Sequence, residues 1–405
     1  MMSNSIFKNT VLFLFSLFVY TVNAQTELEA QTLASNGVST SIQVGAEQFE
    51  AYAALLQGKK VGIVTNQTGV VHAIDTYGYL STVDYLLEKK VHLTTIYAPE
   101  HGFRGTADAG EQIKDGKDTK TGLPIISLYG NNKKPSAKQL QGIDIMLFDL
   151  QDVGARFYTY ISTLHYLMEA CAEQDIPLVV FDRPNPNISI IDGPTLLMKN
   201  KSFVGMHPIP TMHGMTIGEY AQMINGEKWL LNEVQTNLTV IPVANYDRTQ
   251  SYSLPVAPSP NLPNDQAINL YASLCFFEGT NVSSGRGTDL QFQIYGSPFL
   301  KNMPYQFTPK PNFGAKDPMN NGKLCYGENL SNIDKVDKLE LKWLLKAYRN
   351  TREKEKFFTN FFIKLAGTDV LQKQIELGLS EDEIRQSWQA DLQSFLKARK
   401  AYLLY

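Results

Sequence analysis

Cysteine is scarce in this chain, and the scarcity excludes two architectures at once. Cys171, Cys275 and Cys325 are three in 405 residues, an odd number at wide and unequal spacing that makes neither a disulfide framework nor a zinc knuckle. Cys171 lies on an apolar helical stretch and Cys275 beside Phe276 and Phe277, where a thiol behaves as a small core residue. Charge of one sign is short as well. The 37 basic and 40 acidic residues leave a formal −3, too little for a broad field directed at nucleic acid or an anionic membrane. Anion recognition must then be local.

The apolar run at residues 11–20 falls short of the ~20 residues a membrane span needs. It follows Lys8 and leads to "TVNAQ", with Val22 and Ala24 as small residues before Gln25, the pattern of a secretory signal peptide over residues 1–24. The mature chain is therefore expected in the periplasm or outside the cell, without stable membrane insertion. Two motifs are also missing. A dinucleotide site needs G-x-G-x-x-G after the first strand, and "VTNQTGVV" stands there instead. A metal-dependent hydrolase would draw on His101, His213 and an Asp, yet there is no H-E-x-x-H and the six histidines are dispersed. Neither cofactor nor metal is expected.

What is present is regular alternation. After a polar, flexible leader over residues 25–47, "FEAYAALLQGKK" reads as a helix, "KVGIVTNQTG" as a strand, "YLSTVDYLLEKK" as a helix and "HLTTIYAPE" as a strand. "LPIISLYG" is a strand, "PSAKQLQG" a short helix opened by a Ser136 to Gln139 capping box, and "IDIMLFDLQDVG" a strand. The long helix "YTYISTLHYLMEACAEQD" and the strand "IPLVVFDRPNP" close the series. This is the pattern of an α/β fold, an open parallel sheet covered on both faces.

In such sheets the ligand crevice lies beyond the carboxyl ends of the strands. Asn66 and Gln67 follow the first strand, Glu100 and His101 the second, Asp149 and Asp152 the fourth, Asp182 and Arg183 the fifth. An Asp after a strand also caps the next helix, and "DRPNP" also reads as a rigid turn with a salt bridge. Glu100 is the more distinctive, set on a stiff turn between Pro99 and the glycines Gly102 and Gly105. Farther on, "FFEGTNVSSGRGTDLQF" places Glu278, Ser284, Arg286 and Asp289 on a glycine-rich loop, chemically dense for a connector. The proline-rich crossing "YSLPVAPSPNLPND" cannot join a sheet interior, which puts a domain boundary near Pro263, between a first domain over residues 48–263 and a second over 264–405. "TIGEYAQMINGEKWLL", "KLELKWLLKAYR" and "EKFFTNFFIKLAG" have helical spacing, and Ser380 to Glu383 caps a final helix to about Leu403.

The motifs "GIVTNQTGV", "APEHGFRG", "GLPIISLYG", "DLQDVGARFYTY", "DRPNP", "HGMTIGEYA", "PSPNLP" and "FEGTNVSSGRGTDLQFQIYGSPF" resemble those of the former DUF1343 proteins, the NamZ exo-β-N-acetylmuramidases. The resemblance runs from about Lys60 to the closing "RKAYLLY". It implies a Rossmann-like catalytic domain without a nucleotide and a smaller C-terminal α+β domain that helps form the cleft. It also implies release of N-acetylmuramic acid (MurNAc) from the non-reducing end of peptidoglycan fragments, MurNAc-GlcNAc saccharides, with the family's proposed catalytic glutamate on Glu100.

Glycoside hydrolysis usually takes two carboxyl groups. With Glu100 as the acid, beside apolar Tyr97 and Phe103 and with His101 adjacent, the second is open among Asp149, Asp152 and Glu278. The 2-acetamido group of the sugar is a further candidate nucleophile. MurNAc differs from GlcNAc by a lactyl carboxylate, which a guanidinium grips in bidentate fashion. Arg104, Arg156 and Arg286 are the candidates, and Tyr129, Tyr158 and Tyr160 could stack a sugar whether or not the protein is catalytic. The loop over residues 278–289 is expected to face Glu100 and His101 across the cleft.

Overall fold

The computed structural model describes residues 41–73, 78–100, 102–103 and 115–405. The candidate signal peptide, most of the leader, His101 and Arg104 lie outside the described residues. In chain order the strands are β1 Val61–Thr65, β2 Val70–His72, β3 Tyr79–Ser81, β4 Leu93–Ala98, β5 Gly116–Lys117, β6 Pro124–Ser127, β7 Ile145–Asp149 and β8 Leu178–Phe181. They continue with β9 Ile191–Asp192, β10 Met212–His213, β11 Leu238–Ile241, β12 Ile294–Ser297, β13 Tyr305–Phe307 and β14 Cys325–Asn329. Seven of them form one sheet in the order β11-β8-β7-β1-β4-β6-β5. All its pairings are parallel except the edge pair β5–β6.

Two consecutive positions explain why the strands run unbroken in apolar residues: Ile63 packs on one face of the sheet and Val64 on the other. The first face is covered by the helices Phe49–Leu56 and Thr82–Glu88, which bury Tyr52, Leu56, Val83 and Leu86. The second is covered by Tyr160–Glu173 and Ile217–Gly226. The chain moves outward from β1 through β4 to β6, then returns to β7 on the other side of β1 and moves out again to β8 and β11. The switch point is thus at β1 and β7, where a crevice opens beyond the strand ends.

Past the proline-rich crossing come the helix Asp265–Leu274, the antiparallel sheet β12-β14-β13 and the helices Lys342–Asn350, Asn360–Ala366, Val370–Glu376, Glu381–Ser387 and Gln389–Arg399. The apolar core on the second face continues through this region without a break, from Val64 and Leu164 to Phe277, Trp343, Phe362 and Phe395.

Two readings from sequence are corrected, and one helix is added. The Ser136 to Gln139 box forms its hydrogen bonds, but only turns follow, because Gly142 takes φ +81° and ends the segment before a helix can propagate. The final helix is two, separated at Trp388, whose backbone leaves helical values as its indole turns inward. Val370–Glu376 is a helix that the sequence pattern did not reveal.

Candidate active site

β4 ends at Ala98, and Pro99 cannot extend its ladder. The chain turns there, with the Gly102 N–H donating to the Pro99 carbonyl at 3.1 Å and Gly102 at φ +74°, a left-handed value glycine adopts without strain. Glu100 rides on this turn, almost wholly buried. The Tyr129 hydroxyl donates to its Oε1 at 2.9 Å and the Thr159 hydroxyl to its Oε2 at 2.7 Å. Thr159 precedes the helix Tyr160–Glu173, yet its side chain makes no capping bond there and serves Glu100 instead.

Glu100 faces a cavity of about 260 Å³ walled by both halves of the chain. Tyr129, Tyr158, Thr159, Tyr160 and Phe203 come from the first half, Ser259, Asn261 and Leu262 from the proline-rich crossing, and Tyr271, Cys275, Glu278, Arg286 and Phe361 from the second. The loop read as the opposing wall therefore delivers Glu278 and Arg286, joined by a 3.2 Å ion pair from Arg286 Nη1 to Glu278 Oε1. The Cys275 Sγ lies 3.9 Å from Glu278 Oε2. Burial, then Glu278, pushes this thiol well above its ordinary value, so it stays neutral beside the carboxylate. Burial, then Cys275 and Glu278, likewise raises the Tyr271 hydroxyl well above 10.

Other candidates support the site from behind. Asn66 is buried, donates to the Tyr160 hydroxyl at 2.5 Å and accepts from the Thr68 hydroxyl at 2.6 Å. Gln67 donates to the Pro258 carbonyl at 3.2 Å, as Tyr158 does at 2.9 Å, which fixes the crossing against β1. Ser284 is buried outside the cavity wall, its carbonyl accepting from the Phe292 N–H. Asp289 is exposed and does not line the cavity.

Four candidates have their polar groups committed elsewhere: Asp149, Asp182 and Arg156, read as substrate ligands, and Asp152, read as a candidate second catalytic carboxylate. Asp149 is buried in a bidentate pair with Arg183, at 2.6 and 2.9 Å, and accepts from the Thr82 hydroxyl. Asp182 accepts from the Gly218 N–H at the start of Ile217–Gly226 and from the Thr216 and Tyr405 hydroxyls. Burial raises its carboxyl from 3.8 to about 6. Arg156 is fully buried, and its guanidinium donates to the carbonyls of Pro194, Ile209, Leu365 and Ala366 at 2.7–2.9 Å. No hydrogen remains on its two terminal nitrogens for a sugar acid. Asp152 is buried against the Gly154 N–H at 2.7 Å and His213 at 3.5 Å, off the cavity wall. Among the described residues no group of three or more His, Cys, Asp or Glu is placed to hold a metal ion.

Sequence reasoning missed Thr159, Tyr271 and Phe361. Thr159 lies inside the stretch read as a long helix, where a hydroxyl carries no signal of its own, and the other two belong to apolar spacings that also describe core. A larger, shallower depression of about 620 Å³ lies at the amino ends of β1 and β4, among Lys59, Lys89, Lys90 and His92. Glu50 is its single carboxylate.

The family models for the N-terminal and C-terminal parts of the exo-β-N-acetylmuramidase NamZ match residues 61–266 and 269–405. The peptidoglycan β-N-acetylmuramidase NamZ of Bacillus subtilis (strain 168) is 38% identical over 406 residues, which covers 95% of each chain. Two crystal structures of DUF1343 family proteins from Bacteroides fragilis NCTC 9343 share the fold. One is 46% identical with a TM-score of 0.83, the other 27% identical with a TM-score of 0.75, and each alignment covers 90% of this chain and 99% of the other. With a Rossmann-like parallel sheet, a smaller C-terminal part and a carboxylate-bearing cavity between them, the chain belongs to the NamZ family of exo-β-N-acetylmuramidases.

Proposed function

We infer that this protein is a glycoside hydrolase that removes MurNAc from the non-reducing end of peptidoglycan fragments such as MurNAc-GlcNAc, with Glu100 as its general acid. The observation that carries the reading is one cavity holding two carboxyl groups, Glu100 and Glu278, the number the reaction class calls for. Asp152 and Asp149 are occupied elsewhere, so among the carboxylates we assign Glu278 as the second group, with the 2-acetamido group of the sugar the alternative nucleophile. Hydroxyls both donate and accept, so Tyr129 and Thr159 can hold the Glu100 carboxyl in place whether it carries its proton or has given it to the leaving oxygen. Arg286 is the guanidinium on the cavity wall and the partner we assign to the lactyl carboxylate.

The test is Glu100→Gln. Gln keeps the shape and both hydroxyl contacts but cannot donate an acidic proton. Turnover of MurNAc-GlcNAc should fall by ~10²–10⁴-fold while the melting temperature and disaccharide binding are kept. A non-catalytic glycan-binding protein would show no turnover to lose, and a metal-dependent hydrolase would lose its turnover to a chelator. Near-normal turnover in Glu100→Gln would remove Glu100 from the acid's role.

A further inference from the structure

We propose that Phe361 is the platform on which the leaving sugar of the substrate stacks, the residue on the far side of the scissile bond. The inference rests on the muramidase reading and adds a second subsite to it. A cavity of about 260 Å³ lies below the ~300–1,000 Å³ of sites that engulf drug-sized ligands. It takes one amino sugar, and the next must lie at the mouth.

Among the described residues, Phe361 is the large apolar side chain that both lines this cavity and stands exposed, at 37%. Phe157, Tyr158, Tyr160 and Phe292 on the same wall are buried. Single exposed aromatics are ordinary on protein surfaces, so exposure alone assigns nothing. Position and rigidity do. The Phe361 N–H donates to Thr359 Oγ1 at 3.3 Å, and the Thr359 N–H donates to the Gly279 carbonyl at 2.9 Å.

The next residue, Phe362, is fully buried against Gly279, where a Cβ would lie 2.4 Å from the Phe362 Cα. Phe357, Phe358 and Phe362 pack ring to ring at 4.8 and 4.5 Å. Farther along the same helix, Arg156 holds the carbonyls of Leu365 and Ala366. The ring is therefore presented on a fixed backbone, and little conformational freedom is lost when a sugar settles on it. A pyranose with equatorial substituents offers a face of C–H bonds to such a ring, a contact of the kind aromatic walls of ligand sites provide.

The experiment compares kcat/KM for MurNAc-GlcNAc with that for MurNAc β-fluoride, whose leaving group is too small to reach the rim. Phe361→Ala should lower the disaccharide value by roughly 5–10-fold, the size of one aromatic contact, and change the fluoride value less than about 2-fold. Phe361→Trp should retain the disaccharide rate. Equal loss on both substrates, or no loss on the disaccharide, overturns the platform while leaving the muramidase reading in place. Failure of the unaltered protein to cleave either substrate overturns both.

Discussion

At the scale of single residues, the arginines show how little a residue type says before its surroundings are known. Arg156 follows a strand end near the acid, as a sugar-binding arginine would, but four backbone carbonyls occupy it and burial lowers its guanidinium to about 9. Arg286 sits on the cavity wall against Glu278. Replacing Arg286 with Gln should cost ~1.5–3 kcal/mol of transition-state binding on a chromogenic MurNAc glycoside, the usual worth of a hydrogen bond to a charged group. The GlcNAc counterpart should lose far less, since it lacks the carboxylate. If both glycosides slow by the same factor, Arg286 acts through Glu278 and not through the lactyl group. Glu100 stood out in the sequence because an acid between a proline and a glycine at the mouth of an apolar strand is not accounted for by the strand's own spacing. Thr159 and Arg156 did not, because a hydroxyl at a helix start and an arginine after a strand have ordinary structural uses, and only the folded backbone decides between partners.

Among the elements, the parallel sheet and its covering helices were readable from short unbroken apolar, β-branched runs alternating with period-3.6 apolar patterns, and a capping box of Thr216 and Glu219 opens the helix Ile217–Gly226. What the pattern could not supply was lateral order: β11 follows the helix Ile217–Gly226 by a short connection, and only the folded sheet shows that it pairs in parallel with β8 at the edge. The short helix Asn360–Ala366 was recognised, but not its attachment. It ends at Gly367 with φ +76°, and a Cβ there would lie 2.7 Å from Arg156 Nη2. Gly367→Ala should therefore combine left-handed strain with displacement of the guanidinium. It should lower stability by ~2 kcal/mol or more, read as a fall in melting temperature of a few degrees. An unchanged melting temperature would mean that the Arg156 strap contributes nothing to stability.

On the scale of the whole molecule, buried titratable groups pull in opposite directions. His165 and His207 lie in contact, 2.9 Å apart, with His207 also bonded to the Tyr220 hydroxyl and stacked on Trp229. Burial, then Lys201, lowers His165 to about 4, and burial, then His165, holds His207 well below 6.5. The unfolded chain takes up protons at these rings as pH falls through about 6.5, whereas the folded chain does not, so their contribution to stability is lost on acidification. Asp182 has the reverse sign. Its folded value of about 6 exceeds the unfolded 3.8, so its contribution is full below 3.8 and is lost as pH rises through 6. Asp182→Asn keeps the amide-accepting oxygen, and the Thr216 and Tyr405 hydroxyls can turn to accept from the new amide. Denaturant titrations between pH 4 and 6 should then show stability falling more steeply toward acid in the variant than in the parent, by up to ~1.4 kcal/mol per pH unit. Parallel curves would mean that Asp182 does not take up its proton on folding.

The walls of the cavity also set a schedule. Glu100 and Tyr129 are made early, Ser259 and Asn261 past the middle, Glu278 and Arg286 later, and Phe361 and Leu365 near the end of synthesis. No stretch of the chain carries a working cleft by itself, and the core that shapes it is continuous from Val64 to Phe395. A nascent chain that has reached Glu100 therefore lacks the residues that wall its cavity from the other side. If that cavity is the active site, regained activity after refolding would report that Phe361 and Leu365 have come to stand around Glu100.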